Sequence, residues 1–442
     1  MSFLPNILFA LSLILGIGYF TRNVKKLTRN IKLGRDVDVS DNKSQRWKNM
    51  IGIALGQGKM VRRPIAGILH IIVYLGFIVI NIEVLEIIID GLLGTHRIFS
   101  FLGSFYGLLI GCFEILAVLV FIAVIVFWIR RNVIKLQRFW KSEMTKWPKN
   151  DANYILYFEM VLMALFLTMN ATDVHFQEEM NSGNIISQFI APWFNGLSEA
   201  TVHSIERSAW WLHILGILVF LNYLYFSKHL HILLAFPNTY FGKLVPKGQF
   251  NNLEAVTKEV RMMMDPNIDP FAPVPTEALG IPNENAEVPA KFGASDVQDL
   301  SWVNLLNAYT CTECGRCTSE CPANQTGKKL SPRKIMMDTR DRLEEVGKNM
   351  DANKGEFKDD GKQLLDNYIT REELWACTSC NACVEACPVS IDPLSIIIEM
   401  RRYLVMEQSA APMELNIMMT NIENNGAPWP FNQMDRLNWK NE

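Results

Sequence analysis

Eight of the nine cysteines in this 442-residue chain fall in two runs that share one spacing. The first run reads C-T-E-C-G-R-C-T-S-E-C-P and ends at Pro322; the second reads C-T-S-C-N-A-C-V-E-A-C-P and ends at Pro388. In ferredoxin-type proteins this spacing binds 4Fe-4S clusters, and the cysteine before proline ligates the other cluster. The pattern therefore predicts two clusters. Their ligands are Cys311, Cys314, Cys317 and Cys387 for the first, and Cys377, Cys380, Cys383 and Cys321 for the second.

Structural zinc and disulfides are the alternatives for these cysteines. Zinc sites favour paired C-x2-C knuckles, which leave the third cysteine and the C-P ending unexplained. Disulfides would place the segment outside the cytoplasm, against the charge distribution described below. The ninth cysteine, Cys112, lies in an apolar helix and is expected to be a buried packing residue. Clusters sensitive to oxygen indicate a reducing location, and the chain is expected to carry electrons.

The cysteine motifs must be positioned by the rest of the chain, and its first half is strongly hydrophobic. Hydrophobic residues make up 49% of the chain and the mean hydropathy is +0.10. A bilayer crossing needs about 20 apolar residues, a length that argues against a buried soluble bundle. The first run lacks a basic start and a cleavage site, so it is an anchor and not a signal peptide. The five predicted spans are 3–20, 67–89, 103–129, 153–171 and 208–227.

Charge sets the predicted orientation of these spans. Basic residues crowd the stretches after the first and third spans, whereas residues 171–206 contain no lysine or arginine and five acidic residues. Because basic loops stay in the cytoplasm, the N-terminus is expected outside and the cluster domain inside. The chain is thus expected to be a multi-pass protein of the bacterial inner (cell) membrane. The net charge of -2, with no basic recognition motif, gives no reason to expect nucleic acid as a partner.

Four of the seven histidines lie within or at the ends of spans. Two neutral imidazoles on different helices can bind haem b from either side. The second span runs from inside to outside and the fifth from outside to inside. His70 and His231 are therefore both expected near the cytoplasmic face as a pair, with His229 as the competing ligand. A second, outer haem would use His213, for which His175 is one candidate partner. The sequence leaves open whether the bundle binds one haem or two. The alternative for His229 and His231 is a place at the membrane surface, where their side chains snorkel to the lipid headgroups.

Carboxylates also fall inside predicted spans, among them Glu83 and Glu86 in the second and Glu114 in the third. Ionisable groups at that depth often serve proton transfer or quinone chemistry. Contact with outer water is the alternative for Glu86 and for Asp90, which follows the second span.

The remaining pattern divides the chain into four parts. They are a transmembrane haem b domain (1–235), a Pro-rich linker (236–299), an α-helical ferredoxin domain (300–410) and a partner-docking tail (411–442). Ser331-Pro332 and Asp392-Pro393 are cap-plus-proline helix starts within the third part. The expected fold class is mainly α, with a five-helix transmembrane haem b bundle followed by an α-helical ferredoxin domain with two 4Fe-4S clusters.

Three segments carry a resemblance to known families. R-R-P-I-A-G-I-L-H, ending at His70, and W-W-L-H-I-L-G through S-K-H-L-H-I resemble the haem b subunit of nitrate reductase gamma chains and membrane heterodisulfide reductases. C-P-A-N-Q-T-G-K-K-L-S-P-R-K-I resembles the iron–sulfur part of heterodisulfide reductase and glycolate-oxidase-type proteins. The combination is similar to fused membrane Fe–S oxidoreductases. These include electron-transfer-flavoprotein:menaquinone oxidoreductases and the sulfite-reductase-associated membrane complex.

The resemblance implies partners. Many fused relatives continue into two cysteine-rich C-C-G repeats, whereas this sequence stops at Glu442. A separate C-C-G iron–sulfur subunit is therefore expected to dock near the tail, with an electron-transfer flavoprotein as a further candidate.

The expected function is that of an oxidoreductase subunit in the membrane. It would pass electrons between menaquinone, haem b, the two clusters and a soluble partner. The alternative is a membrane-bound redox sensor without turnover.

Overall fold

The computed structural model describes residues 3–174, 176–177, 184–246, 248–266 and 291–441. Within these ranges the secondary structure is helical, and β pairing is limited to two isolated bridges, Arg35 with Ser301 and Leu365 with Ile369. The predicted class, mainly α, is confirmed.

Five long helices form the first half of the chain, and each is long and apolar enough to cross a membrane. They confirm the five predicted spans, although most extend beyond the predicted ends. The reason is that hydropathy marks only the part in lipid, while the helix continues through polar residues into water. The helices are α1 (Leu4–Ile31), α2 (Pro64–Leu93), α3 (Ser104–Asn132), α4 (Trp147–Thr172) and α5 (Glu199–Tyr223).

The five spans form a closed ring. Each packs against its neighbours in chain order, and α1 closes the ring by contacting both α2 and α5. At the α2–α3 contact, a Cβ on Gly76 would lie 2.4 Å from Val120 Cγ2, so glycine permits the close approach. The interior contains a buried cluster of apolar and aromatic side chains. Among its members are Phe9, Tyr106, Ile110, Phe113, Phe166 and Ile214.

The outward surface of the ring is also apolar, with many exposed leucine, isoleucine and phenylalanine side chains that suit contact with lipid. Cys112 lies on this surface and is exposed. The expectation that it is a buried packing residue is wrong. The reason is that a membrane helix is apolar on every face, so an apolar neighbourhood does not indicate burial.

Beyond α5, a 3-10 turn (Leu224–Phe226) leads to α6 (His231–Tyr240) and a helix at Glu254–Met264. Both helices lie in or beside the predicted linker, whose proline-rich stretch 267–290 falls outside the described residues.

The second half is built on α7 (Trp302–Thr310), α8 (Pro332–Ala352) and α9 (Pro393–Arg402). Both cap-plus-proline starts are confirmed, because Ser331 Oγ accepts from the Lys334 amide and Asp392 Oδ1 from the Ser395 amide. The core includes Leu305, Ile335, Leu343, Ile396 and Met400.

This helical domain packs against one end of the membrane bundle. Leu27 and Leu224, at the ends of spans, belong to the same apolar cluster as Leu305 and Leu343. Asn30 donates to the Tyr309 hydroxyl at 2.9 Å across the contact. The two cysteine turns are therefore held next to the bundle.

Candidate functional site

The two cysteine turns have the same backbone shape. Between the first and second cysteines of each motif, Glu313 and Ser379 have φ of 53° and 56°. Between the second and third, Gly315 and Asn381 have φ of 71° and 60°. Glycine and asparagine tolerate this left-handed region best. The repeated spacing is thus a repeated structure.

Gly315 is needed for a second reason. A Cβ at this position would lie 2.5 Å from Arg333 Nη1 and 3.2 Å from the Arg138 carbonyl oxygen. Arg333 is fully buried and bonds Arg138 O and Glu143 Oε1 at 2.6 and 2.7 Å. The first turn therefore lies against a loop of the membrane domain with no room for a side chain.

The first four predicted ligands line one pocket, with about 370 Å³ of empty space that includes its opening to solvent. Three come from the first motif and the fourth, Cys387, comes from the end of the second. Burial raises the pKa of Cys311 to about 12 and that of Cys387 to about 11. These thiols are therefore protonated in the metal-free protein, and metal binding must displace their protons.

The other four cysteines are also neighbours. Cys377 lies within electrostatic range of Cys321 and Cys380, and Cys383 within range of Cys377 and Cys321. The Ser379 amide donates to Cys377 Sγ at 3.4 Å. Cys380 is exposed. The second group thus lies nearer to solvent than the cavity of the first.

Ligand spacing bears on the zinc alternative. Among the described residues, no three His, Cys, Asp or Glu side chains converge on a position for a single metal ion. A zinc site would need four donors within bonding distance of one ion. A cluster of four irons spreads its ligands farther apart, so the arrangement fits the cluster better than zinc.

Arg316 joins the first group to the membrane domain. It is buried and donates to the Met60 carbonyl at 3.3 Å. Its charge acts on Cys314 and Cys387 and also on His70. Nearby, Arg63 donates to Ser319 Oγ at 2.9 Å. The first cysteine group therefore faces the bundle, on the side of its basic loops.

The predicted histidine pair meets at this same end of the bundle. The ring centroids of His70 and His231 lie 6.3 Å apart, with 44° between the ring planes. One metal held at ~2 Å by a nitrogen of each ring places the centroids roughly 6 Å apart. His231 Nδ1 donates to the Lys228 carbonyl at 3.1 Å, which leaves Nε2 free. His70 Nδ1 is buried and has no hydrogen-bond partner in the described part of the chain. Both rings fit an axial pair.

The competing ligand, His229, has a different partner. Its Nε2 lies 3.7 Å from Glu159 Oε1, and its ring is 5.5 Å from that of His231. Burial lowers the pKa of His229 to about 3, so the ring is neutral. His229 is therefore placed beside the pair, with one nitrogen directed to a carboxyl group.

His213 is buried deeper in the bundle. Its Nδ1 donates to the Leu162 carbonyl at 3.0 Å and its ring lies 6.1 Å from Phe166. Leu162 and Phe166 both belong to α4, so the contacts orient the ring against that helix. The candidate partner His175 lies outside the described residues.

The far end of the bundle contains a polar network that the sequence did not indicate in full. Arg97, the only lysine or arginine between α2 and α3, donates to Asp173 at 3.1 Å and lies 3.4 Å from Glu83. Glu86 is buried and accepts from Tyr106 and the Phe99 amide, so it does not reach outer water. A lone arginine beside intramembrane carboxylates was the available signal.

Comparison with known proteins bears on the cysteine domain and on the whole chain. Residues 310–391 match the model of a 4Fe-4S dicluster domain. The chain is 28% identical to the "Probable iron-sulfur-binding oxidoreductase FadF" of Bacillus subtilis, over 99% of this chain and 61% of the relative. It is 26% identical to the "EtfAB:quinone oxidoreductase" of Syntrophomonas wolfei, over 95% of this chain and 57% of the relative.

A third relative is the "Probable membrane-anchored ferredoxin" of Chromohalobacter salexigens, 32% identical over 34% of this chain and 24% of the relative. This chain spans about three-fifths of the length of the first two relatives. No solved structure matches. The homologues are iron–sulfur oxidoreductases, and this chain shares their 4Fe-4S dicluster domain.

Proposed function

We propose that this iron–sulfur oxidoreductase passes electrons between the menaquinone pool and a soluble partner, through haem b and two 4Fe-4S clusters. One observation carries the proposal. The His70–His231 pair and the cavity lined by the first cysteine group lie at the same junction, both within electrostatic range of Arg316. Carriers held there would connect the lipid phase with the helical domain.

Cysteine grouping supports the ligand assignment. Cys311, Cys314, Cys317 and Cys387 would hold the first cluster, and Cys321, Cys377, Cys380 and Cys383 the second. Cys317 of the first group lies within electrostatic range of Cys383 of the second, so the two groups adjoin. The clusters would supply one-electron carriers, while the protein fixes their order and keeps water away.

Axial ligation by His70 and His231 is the proposed haem b site. The Lys228 carbonyl fixes the tautomer and direction of the His231 ring, a typical role for a group behind a metal ligand. His229 stays a secondary candidate because Glu159 engages it. His213 would serve a second haem deeper in the bundle.

The order of carriers follows from position. The histidine pair adjoins the first cysteine group, and the second group extends toward solvent through the exposed Cys380. A soluble partner would therefore exchange electrons at the second group. The same face is the basic face of the bundle, which supports a cytoplasmic cluster domain in a bacterial inner membrane.

The proposed docking tail has the surface that a partner requires. Its helix α10 (Met413–Asn425) and the following 3-10 segment Gln433–Lys440 bury none of their residues. Phe431 and Trp439 are 63% and 69% exposed. Large apolar side chains in water are typical of interaction sites. A cysteine-rich C-C-G subunit is the proposed occupant; the likeness to an EtfAB:quinone oxidoreductase suggests an electron-transfer flavoprotein as the electron donor.

The test uses the full-length chain purified without oxygen. Dithionite-reduced protein should show b-type absorbance bands, and 2,3-dimethyl-1,4-naphthoquinone should reoxidise them. Iron and acid-labile sulfide should each approach about eight per chain beyond haem iron. Absence of b-type bands would reject the haem assignment. Bands that the quinone cannot reoxidise would favour a redox sensor instead.

A further inference from the structure

A second pocket lies at the end of the bundle remote from the helical domain. It is an open cleft of about 280 Å³, solvent at its mouth included, between the last part of α2, the end of α4 and the first half of α5. We call it the distal pocket. Ile87, Met169 and Trp210 give it an apolar side, and Glu83, Arg97 and Glu206 a polar side. A flat apolar ring that bears oxygen atoms would suit this lining, with its ring against the apolar side and its oxygen atoms toward the polar side.

Glu83 is the unusual group in the distal pocket. It is 2% exposed, and its Oε2 has no hydrogen-bond partner among the residues that the structure describes. Within the same ranges its Oε1 has only the 3.4 Å contact with Arg97 Nη1. Buried carboxylate oxygens are almost always bonded, so an unbonded one facing a pocket indicates a missing ligand or proton.

Arg97 does not neutralise Glu83 alone. Its Nε donates to Asp173 at 3.1 Å and its Nη2 to Asn170 Oδ1 at 2.8 Å, both closer than Glu83. The guanidinium is therefore shared, and Asp173 takes the better contact. Glu83 retains one free oxygen in a setting that already holds a second carboxylate.

The neighbouring carboxylates have partners of their own. Glu86 accepts from Tyr106 and the Phe99 amide, and Asp90 from Thr95 and two backbone amides. Glu114, from α3, accepts from Asn170 and the amides of Ile186 and Ser187. Glu83 is therefore the carboxyl group left to engage a ligand.

The mouth of the distal pocket reaches the surface through charged side chains. His96 is 49% exposed and lies 3.2 Å from Asp173. Arg207 is 39% exposed and pairs with the buried Glu206. Water outside the bundle thus has a polar approach to the pocket, on the face opposite the clusters.

The distal pocket is also close to the deeper histidine. Trp210 lies one turn before His213 on α5, since three residues nearly complete a turn of 3.6. The pocket and His213 therefore lie about one helical turn apart along α5.

We propose that the distal pocket binds the ring of a quinone and that Glu83 exchanges a proton with one quinone oxygen. The inference rests on the proposed function, which supplies the electrons. Reduction adds two electrons, delivered from the soluble donor through the chain, and two protons. The Glu83 carboxyl gives one proton and water at the mouth gives the other, forming the quinol. Outer water then reprotonates Glu83, and quinol oxidation runs the same steps backwards.

The test compares full-length wild type with Glu83→Gln, which keeps the shape but cannot exchange the proton. The probe is 2,3-dimethyl-1,4-naphthoquinone, with binding measured by calorimetry in detergent and quinone-driven reoxidation measured across pH. We expect slower reoxidation and a flattened pH profile in Glu83→Gln, whose amide still donates to the quinone oxygen. Glu83→Leu, which removes the donor, should bind the naphthoquinone about tenfold more weakly. Glu83→Asp should restore the pH dependence. Glu199→Gln, which removes an exposed carboxylate at the same end of α5, should behave as wild type.

Unchanged reoxidation and pH profile in Glu83→Gln, or unchanged affinity in Glu83→Leu, with wild type active, would overturn the distal pocket alone. Wild type that neither binds the naphthoquinone nor is reoxidised by it would overturn the proposed function as well. Iron content and thermal unfolding of each variant distinguish a local effect from misfolding.

Discussion

His70 and His231 face each other with ring centroids 6.3 Å apart, although one lies near the start of the second span and the other follows the fifth. Closure of the five-helix ring brings these two chain segments together. The pair lies at the end of the bundle against which the cysteine domain packs.

Replacement of one ring should therefore remove a single cofactor. In His70→Ala we expect loss of the b-type absorbance assigned to this pair, because one imidazole cannot clamp the iron from both sides. Cluster iron should stay at the wild-type level. His203→Ala is the matched control, since that ring is 67% exposed at the far end of α5. Full haem occupancy in His70→Ala would show that the pairing is wrong.

In the proposed assignment, the fourth cysteine of each motif ligates the cluster of the other motif, which leads to a specific prediction. Cys387→Ser should perturb the same electron paramagnetic resonance signal as Cys314→Ser, because both side chains line one cavity. Cys321→Ser should instead match Cys377→Ser. Cys112→Ser, on the outward surface of α3, should leave both signals unchanged. If Cys387→Ser altered the signal of its own motif instead, each motif would bind its own cluster.

The first cysteine turn should not tolerate a side chain at position 315. Gly315→Ala adds left-handed strain of about 1–2 kcal/mol and a contact at 2.5 Å with Arg333. Gly327 has a similar positive φ, but a Cβ there meets nothing within 4 Å. Gly327→Ala therefore adds backbone strain without a steric clash. We expect iron content to fall in the first variant only. Equal iron loss in both would attribute the effect to backbone strain.

Arg342 should support the helical domain. Its side chain is fully buried and pairs with Asp296 at 2.8 Å and Asp360 at 2.6 Å. Arg342→Ala leaves both carboxylates without their cation, at an expected cost of about 3 kcal/mol in the free energy of unfolding. Lys362→Ala, which breaks the exposed pair with Glu345, should cost less than about 1 kcal/mol. Urea unfolding followed by near-ultraviolet circular dichroism gives both values, and similar costs would contradict the argument.

Arg342 also makes acid sensitivity predictable. Its hydrogen bond holds the pKa of Asp360 below the ordinary value of 3.8. A carboxyl group with a lowered pKa contributes its full stabilisation when the pH is above the ordinary pKa. This contribution is lost as the pH falls through the lowered pKa. The stability difference between wild type and Arg342→Ala should therefore shrink below about pH 4. A difference that stays constant there would exclude this ionic contribution.

Local patterns in the sequence predicted the parts of this protein that depend on neighbouring residues. The cysteine spacing matches two turns of one shape, the apolar runs match five spans, and Ser331 and Asp392 cap the helices that follow them. Each of these features is decided within a few residues or one helix, so the chain alone contains the information.

Only the tertiary structure decided which residues face one another. In a bilayer every face of a helix is apolar, so hydropathy does not distinguish the interior of the ring from lipid; Cys112 was misplaced for this reason. The same limit hid the contact of Arg97 with Glu83 and left the partner of His229 unknown. Packing of distant segments settled these contacts, because side chains on different helices meet only when the ring closes.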